Sequence, residues 1–360
     1  MGSGKRTLTT AAIALVCAVT VLTAPGAAYA SPGRPTPTPN PSGSAVPAAD
    51  KDLDAVRIRL EKLYHDAAVA TDEYNAAEEQ TKKQSAQIVE LAREIVKGRQ
   101  KLTDLKDRAG AAARAQYRGG GLPPEVRLWL SDDPQQFLDA AGTVREGEHA
   151  TEGLLTELTR TQEDLKQYAR DAADQWQGLE ANRKAKAEAK KKVEKQIAAA
   201  EKLQSRLKKQ EQERLEQLEQ QAALQAQTAW LDSGILKEIK SKASEEGRKA
   251  VQFATDQIGK PYVWGAEGPK SYDCSGLTSQ AWLAAGSPIP RTSQEQWKQL
   301  KHVAVKDMRP GDLIIYFDDA SHVAMYVGDG AIIHAPRPGR TVTIAGAGSM
   351  PILGVVRPDA

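Results

Sequence analysis

Residues 312–335 read DLIIYFDDASHVAMYVGDGAIIHA. Short apolar and aromatic runs alternate in this stretch with groups of Asp, Ser and Gly. Such runs between turn residues predict β-strands, and a Gly-Asp-Gly turn is short enough to join two of them as a hairpin. We place strands at 312–317, 322–328, 331–335, 341–345 and 354–357. Strands joined by turns this short pair antiparallel, so the C-terminal part of the chain is expected to contain an antiparallel sheet.

Two segments with helical character precede these strands, at residues 247–258 and 274–285. Helices followed by a run of strands favour an α+β domain in which the helices pack on the sheet. We set the bounds of this domain at residues 246–360, because about 115 residues are enough to bury one hydrophobic core.

Cys274 is the one cysteine of this domain, and Cys17 lies near the N-terminus. Cys274 is predicted to begin the second helix, where unpaired N–H groups and the positive end of the helix dipole lower the pKa of a thiol. Asp273 is suited to cap this helix, and Gly276 would let another element approach closely. A buried cysteine that only packs is the alternative interpretation.

Two histidines flank the predicted hairpin, His322 at the start of one strand and His334 near the end of the next. Antiparallel pairing can place them side by side. A thiol, a base and a group that orients the base form the arrangement used in nucleophilic catalysis. The same three side chains could bind zinc, but no C-x-x-C or H-x-x-x-H pair and no fourth ligand is evident, so no metal is expected.

Six blocks occur in order between residues 247 and 358: PYVWG, YDCSGL, PRTSQEQW, RPGDLIIYF, SHVAMYVGDG and IIHAP. Together they resemble the NlpC-type peptidoglycan endopeptidases, a family of papain-like cysteine peptidases. The resemblance implies a papain-like α+β fold, with Cys274 as nucleophile, His322 as general base and His334 as the residue that orients it. It also assigns four residues to the oxyanion site and the cleft: Tyr262, Asp273, Ser275 and Arg291.

The resemblance also implies a reaction. This family hydrolyses the stem peptides of peptidoglycan between the γ-carboxyl of D-glutamate and the diamino acid, without a cofactor. An acyltransferase or transpeptidase would use the same acyl-enzyme, and a scaffold that activates another hydrolase would be a non-catalytic alternative. Ala266 and Tyr272 depart from residues frequent in the family and leave the fine specificity open.

Residues 50–230 carry a different pattern. Steps of 3 and 4 residues from Leu53 to Ala112 visit eighteen positions, of which fifteen are apolar. This period of 3.5 predicts a coiled coil. Glycines and prolines at 119–124 interrupt the pattern, and the helix is expected to resume near Val144 and to run to about Trp230. Two long helices around such a break predict an antiparallel hairpin, with a parallel dimer as the alternative. A polar linker at 231–245 leads to the C-terminal domain.

The insert at residues 119–143 is unusually apolar for the tip of a hairpin. Its large side chains are Leu128, Trp129, Leu130, Phe137 and Leu138. It is similar to inserts of coiled-coil cell-wall hydrolases that a membrane complex regulates during division. We expect this patch to cover the Cys274 cleft or to dock such a membrane complex, and packing of the tip on itself is the alternative.

The N-terminus has the features of an export signal. Lys5 and Arg6 precede an apolar stretch at residues 8–25, and Ala28-Tyr29-Ala30 has the form of a cleavage site. We expect cleavage after Ala30, export to the cell wall or medium, and a Pro-rich linker at 31–49. A retained membrane anchor is the alternative, whereas the bulky residue before Cys17 argues against lipid attachment there.

Charge excludes one class of partner. The chain has 49 Lys and Arg against 47 Asp and Glu, a net charge of +2. Residues 246–360 are also nearly balanced, with 12 basic and 11 acidic side chains. Nucleic-acid-binding proteins concentrate basic charge, so no nucleic acid is expected as a partner.

Overall fold

The computed structural model describes residues 48–118, 126 and 134–360. The predicted export signal, nearly all of the Pro-rich linker, the Gly/Pro break and Trp129 lie outside the described residues. The chain divides into two units, Met1–Val46 and Pro47–Ala360, and the elements below belong to the second.

Two long helices, α1 (Ala48–Arg118) and α2 (Pro134–Gln204), pack against each other. Gln84 of α1 bonds Asn182 of α2, whereas the earlier residue Glu73 pairs with the later Lys192. As residue numbers rise along α1, the residues that they contact on α2 have falling numbers. The two helices are therefore antiparallel, which confirms the predicted hairpin.

Helix α2 begins earlier than expected. The sequence prediction assigned residues 134–143 to the insert, but they are helical in the structure. Pro134 occupies the first helical position, where its fixed φ and missing N–H are tolerated. The predicted start near Val144 was therefore wrong by ten residues.

Burial along α1 follows the predicted heptads only in part. From Thr81 to Leu102 the seam positions are half-buried, because a single partner helix covers a narrow stripe. Leu60, Leu63 and Ala67 are fully buried. A third helix, α3 (Lys209–Asp232), contributes Leu215 to the cluster around Leu60, and the chain breaks at residues 205–208 instead of continuing helical to Trp230.

Four shorter helices lie in and before the C-terminal domain: α4 (Ile235–Glu238), α5 (Glu245–Asp256), α6 (Cys274–Ala285) and α7 (Ser293–Gln299). The last three have side-chain N-caps, from Ser244, Asp273 and Thr292, which accept hydrogen bonds from backbone N–H groups of the first turn. Helix α7 was not predicted, because seven residues are too few to show helical periodicity.

The six strands are β1 (Lys301–Val303), β2 (Leu313–Tyr316), β3 (His322–Gly328), β4 (Ala331–His334), β5 (Thr343–Gly346) and β6 (Ile352–Arg357). They form one antiparallel sheet in the order β1-β6-β2-β3-β4-β5. The expected α+β class is confirmed, and β1 is the strand that the prediction missed.

Side chains of the sheet are buried on both faces. Helices α5 and α6 cover one face, where Leu277 and Trp282 meet Ile315 and Met325. On the other face Ile314 and Tyr326 belong to a second cluster, against which Trp230 of α3 packs. The first cluster lies wholly within residues 250–356, so the C-terminal domain has a core of its own.

None of the described helices has an apolar stretch long enough to cross a bilayer.

Candidate active site

Cys274 is the first residue of α6, as the sequence predicts. Asp273 caps the helix by accepting from the N–H of Gly276. The backbone N–H groups of Ser275 and Val323 face the sulfur of Cys274. Val323 directly follows His322, so the thiol lies at the junction between the start of α6 and the start of β3.

Close packing at the start of α6 requires a glycine at position 276. A Cβ at this position would collide with the carbonyl oxygen of Ala266, which accepts a hydrogen bond from the N–H of Asp273. The loop before α6 therefore packs directly on the helix start, and this contact holds Cys274 against the sheet.

His322 and His334 meet as the hairpin predicts. His322 Nε2 lies 3.0 Å from His334 Nδ1, and the ring planes are nearly perpendicular. This bond fixes the orientation of the His322 ring and directs its Nδ1 away from His334. Both rings are buried, so the protein interior and not solvent sets their protonation.

The residues predicted to line the cleft form a buried network beneath Cys274. Arg291 donates from Nη2 to Asp273 Oδ2 at 2.7 Å and from Nη1 to Ser275 Oγ at 2.9 Å. Asp273 and Ser275 are fully buried. In this arrangement the three side chains hold the start of α6 in place through hydrogen bonds and do not face solvent.

Tyr262 is buried in the same core cluster as Cys274. Burial, with a smaller contribution from the charge of Cys274, raises the pKa of Tyr262 well above its ordinary value. Its phenol is therefore a neutral hydrogen-bond donor beside the thiol, which is the form an oxyanion would need.

Helix α1 covers this site. We call residues 65–75 of α1 the cover segment. Asp72 accepts a hydrogen bond from Ser293 Oγ at 2.8 Å, and Asn75 Nδ2 donates to Asp273 Oδ2 at 3.1 Å. Asp72 and Asn75 are 4% and 2% exposed, so both polar side chains are inserted into the catalytic domain.

The contact extends on both sides of these two residues. Tyr74 packs edge-on against Trp264, and its ring also lies against Gly265. At the other end of the cover segment, His65 Nε2 pairs with Asp319 at 3.0 Å and its Nδ1 lies 3.3 Å from Ser321 Oγ. Ser321 directly precedes His322.

Coverage by α1 changes the electrostatics of the thiol. Burial, and next the negative charge of Asp72, raise the pKa of Cys274 well above its ordinary value. Burial lowers the pKa of His322 well below its ordinary range and that of His334 to about 4. The helix start was expected to lower the pKa of the thiol. That expectation was wrong for this arrangement, because loss of solvent outweighs the helix dipole.

A second helix holds the domain on the side of His334. Glu219 of α3 accepts from Arg337 Nη2 at 2.8 Å and from Arg340 Nη2 at 3.0 Å. Farther along α3, Gln227 bonds Gly330 and Gly348, and Trp230 packs against Gly348. The catalytic domain is thus held by α1 and α3 together.

The apolar insert was expected to cover the cleft or to dock a partner. Leu128, Trp129 and Leu130 lie outside the described residues, and Leu138 is an exposed residue of α2. The segment seen over the cleft is residues 65–75, in the first half of α1. Sequence reasoning missed Asp72 and Asn75 because polar residues beside a heptad seam have the same pattern as a solvated helix face.

In the described part of the chain, no three His, Cys, Asp or Glu side chains are grouped as a metal site would require. A thiol at a helix start, next to two bonded histidines on an antiparallel sheet, defines a papain-like cysteine peptidase domain. Residues 259–349 match the NlpC/P60 family, and the C-terminal domain of this chain belongs to that family.

Curated relatives share this part of the chain. A "Probable endopeptidase" of Corynebacterium glutamicum is 39% identical over 140 residues, which are 39% of this chain and 66% of the relative. A "Probable endopeptidase" of Mycobacterium tuberculosis is 40% identical over 94 residues, 26% of this chain and 24% of the relative. Among solved structures, the NlpC/p60 domain of the peptidoglycan hydrolase SagA is 32% identical over 31% of this chain and 97% of that chain, with a TM-score of 0.29.

Proposed function

We propose that the protein is an exported cysteine endopeptidase that hydrolyses the stem peptides of peptidoglycan. The observation that carries this proposal is the thiol at the start of α6 beside the bonded pair His322–His334. The endopeptidase names of the relatives support the reaction class.

The geometry of the site supports the following reaction. His322 takes the proton of Cys274, and the thiolate attacks the scissile carbonyl. The N–H groups that face the sulfur, together with the Tyr262 phenol, are placed to stabilise the negative charge on the oxygen. His322 then returns the proton to the leaving amine, and water releases the acyl group from Cys274. His334 keeps the His322 ring in place throughout.

The bond between the γ-carboxyl of D-glutamate and the diamino acid is the proposed site of cleavage. The test is digestion of purified peptidoglycan by residues 246–360, followed by mass spectrometry of the products. Endopeptidase action leaves a new free amine on the diamino acid. Products joined to an added amine would support the transpeptidase instead, and undigested peptidoglycan would contradict both.

Regulation by α1 is the second part of the proposal. The cover segment excludes substrate from the cleft, and its Asp72 opposes formation of the thiolate. Asn75 Oδ1 is buried in the same contact and has no hydrogen-bond partner among the residues that the structure describes. An unsatisfied buried oxygen costs about 1–3 kcal/mol, so this contact is held weakly enough to be released. A membrane division complex that pulls on the helical hairpin is the partner we propose for this release.

Asp72 makes the closed arrangement sensitive to pH. Burial raises the pKa of Asp72 from 3.8 to about 7. We call the arrangement with the cover segment on the catalytic domain the closed form, and the arrangement without this contact the open form. Between about pH 4 and pH 7, Asp72 is therefore protonated in the closed form and ionised in the open form. Closure weakens as pH rises through this window, by up to about tenfold per pH unit, and changes no further above it.

Replacing Asp72 with asparagine removes the charge and keeps the shape of the side chain. We expect the full chain with Asp72→Asn to hydrolyse peptidoglycan more slowly than the wild type at pH 8, because the closed form is no longer penalised. The ratio of wild-type to variant rates should fall steadily from pH 7 to pH 5. Taking the ratio at each pH cancels the titration of the catalytic groups. A ratio that stays constant between pH 5 and pH 8 would show that Asp72 does not titrate with closure.

Export is proposed from the N-terminal sequence alone. N-terminal sequencing of the protein recovered from the culture medium or the cell wall is expected to start at Ser31. A mature chain that still contains Cys17 would contradict cleavage after Ala30.

A further inference from the structure

A cavity of about 670 Å³ lies between the first part of α1 and the catalytic domain. Tyr64, His65 and Ala68 of α1 form one wall. Phe317, Arg337 and Met350 line it on the catalytic domain, where Arg337 stacks on the Tyr64 ring and Phe317 packs edge-on against His65, and His322 lies at the cavity surface. The cavity is large enough for a small peptide, because binding sites for small ligands start at roughly 300 Å³.

This cavity and the polar contacts of Asp72 and Asn75 lie on different sides of the catalytic pair. Asp72 and Asn75 contact Ser293 and Asp273, next to the start of the helix that carries Cys274. None of these four residues lines the cavity, which reaches the site through His322. Side chains of α1 therefore occupy the half of the cleft next to Cys274. Over the other half, next to His322, α1 covers the cavity but leaves it empty of side chains.

The chemistry of the reaction indicates which part of the substrate each half of the cleft would bind. The acyl part of the substrate becomes attached to Cys274, whereas the leaving amine must approach His322 to receive its proton. The open half is the one beside His322. We propose that this cavity binds the amine-bearing product half of the stem peptide, the diamino acid with the residue that follows it, while α1 remains closed. This inference rests on the proposed endopeptidase function.

The walls suit such a ligand. Ile58, Phe317 and Met350 offer apolar surface to the aliphatic chain of a diamino acid. Charges of both signs lie around it, from Glu61 and Lys62 on α1 and from Glu219 with Arg337 across the cavity. A diamino dipeptide carries amines, a carboxylate and an aliphatic chain, and these match the three kinds of surface.

Because α1 and the catalytic domain both form its walls, a ligand in the cavity contacts the two at once. Such a ligand binds the closed form more tightly than the open form and shifts the population toward closure. The cleaved amine product would therefore restrain the enzyme that released it, through α1.

Calorimetric titration of the full mature chain tests this inference. The chain carries Cys274→Ala, so that nothing is turned over, and the probes are lysyl-D-alanine and diaminopimelyl-D-alanine. We expect at least one dipeptide to bind. Ala68→Trp fills the cavity and should weaken binding at least about tenfold, whereas Ala86→Trp, on an exposed position of α1 away from the cavity, should not.

A charge variant keeps the test valid if Ala68→Trp disturbs folding. Lys62→Glu should weaken binding of diaminopimelyl-D-alanine, whose two carboxylates would meet a negative charge in place of the lysine, and Lys83→Glu, at an exposed lysine remote from the cavity, should leave it unchanged. No binding to the closed chain, or equal binding by all four variants, would overturn the inference. If residues 246–360 still hydrolyse peptidoglycan in that case, the proposed function stands. Failure of that hydrolysis would remove both.

Discussion

Replacing Cys274 with alanine in residues 246–360 is expected to abolish the release of soluble peptide from purified cell walls. The loss should be at least about 10⁴-fold, because no other group can form the acyl-enzyme. His322→Ala should lower the rate by about 10²- to 10⁴-fold, since proton transfer is lost while the thiol remains. His334→Ala should have a smaller effect, because water or neighbouring groups can partly hold the His322 ring.

His302→Ala is the matched control for the histidine variants. His302 is exposed on β1, where it stacks on Trp297, and it should leave the rate unchanged. Chelators are expected to have no effect. Hydrolysis retained by Cys274→Ala would refute the cysteine peptidase mechanism, and inhibition by a chelator that zinc reverses would revive the metal alternative.

Replacing Asn75 with aspartate in the full mature chain is expected to activate it. The change preserves the size of the side chain, removes the donor to Asp273 Oδ2 and places two carboxylates in contact. Leaving the buried Asp273 carboxylate without this donor costs about 1–3 kcal/mol or more, which the closed arrangement bears and the open one does not. We expect the rate of peptidoglycan hydrolysis to rise at least about tenfold.

Asn182→Asp is the control for this variant. The side-chain amide of Asn182 also donates a hydrogen bond, to Gln84 Oε1, within the helical hairpin and away from the cleft. It should leave the rate close to that of the wild type. Activation by Asn182→Asp to the same extent would mean that general loosening of the hairpin is responsible, and an unchanged rate for Asn75→Asp would show that the contact with Asp273 does not hold the domain closed.

The sheet and the relative placement of the three catalytic candidates could be predicted from the sequence. Strand β3 was placed at its observed bounds, and the short turn after it brings His322 and His334 together. These features depend on local signals, namely apolar runs, turn residues and a helix start. The missed elements, α4, α7 and β1, are short and carry no such pattern, and α4 lies within the predicted linker at 231–245.

The cover segment could not be predicted, because it depends on contacts between residues about 200 positions apart. Asn75 and Asp273 are separated by 198 residues, and Asp72 and Ser293 by 221. Their side chains are polar and flank the heptad seam, as those of a solvated helix face do. Tyr74 is one of the eighteen heptad positions between Leu53 and Ala112, but its ring packs on Trp264 of the catalytic domain.

The closed arrangement also explains why the thiol is not activated here. A papain-like mechanism needs the thiolate or ready transfer of its proton to His322. Burial raises the pKa of Cys274 and lowers that of His322, so both groups are held neutral. Removal of α1 would return water to the site and take away the charge of Asp72, and both changes favour the thiolate.

The most direct measurement compares peptidoglycan hydrolysis by residues 31–360 and by residues 246–360, at equal concentration on the same substrate. The C-terminal domain has its own core and contains the three proposed catalytic residues, but it lacks the cover segment. We predict that the shorter chain releases soluble peptides at least about tenfold faster, and that Asn75→Asp brings the longer chain toward the same rate. Equal rates for the two wild-type chains would contradict closure by α1 and leave the helical hairpin a tether.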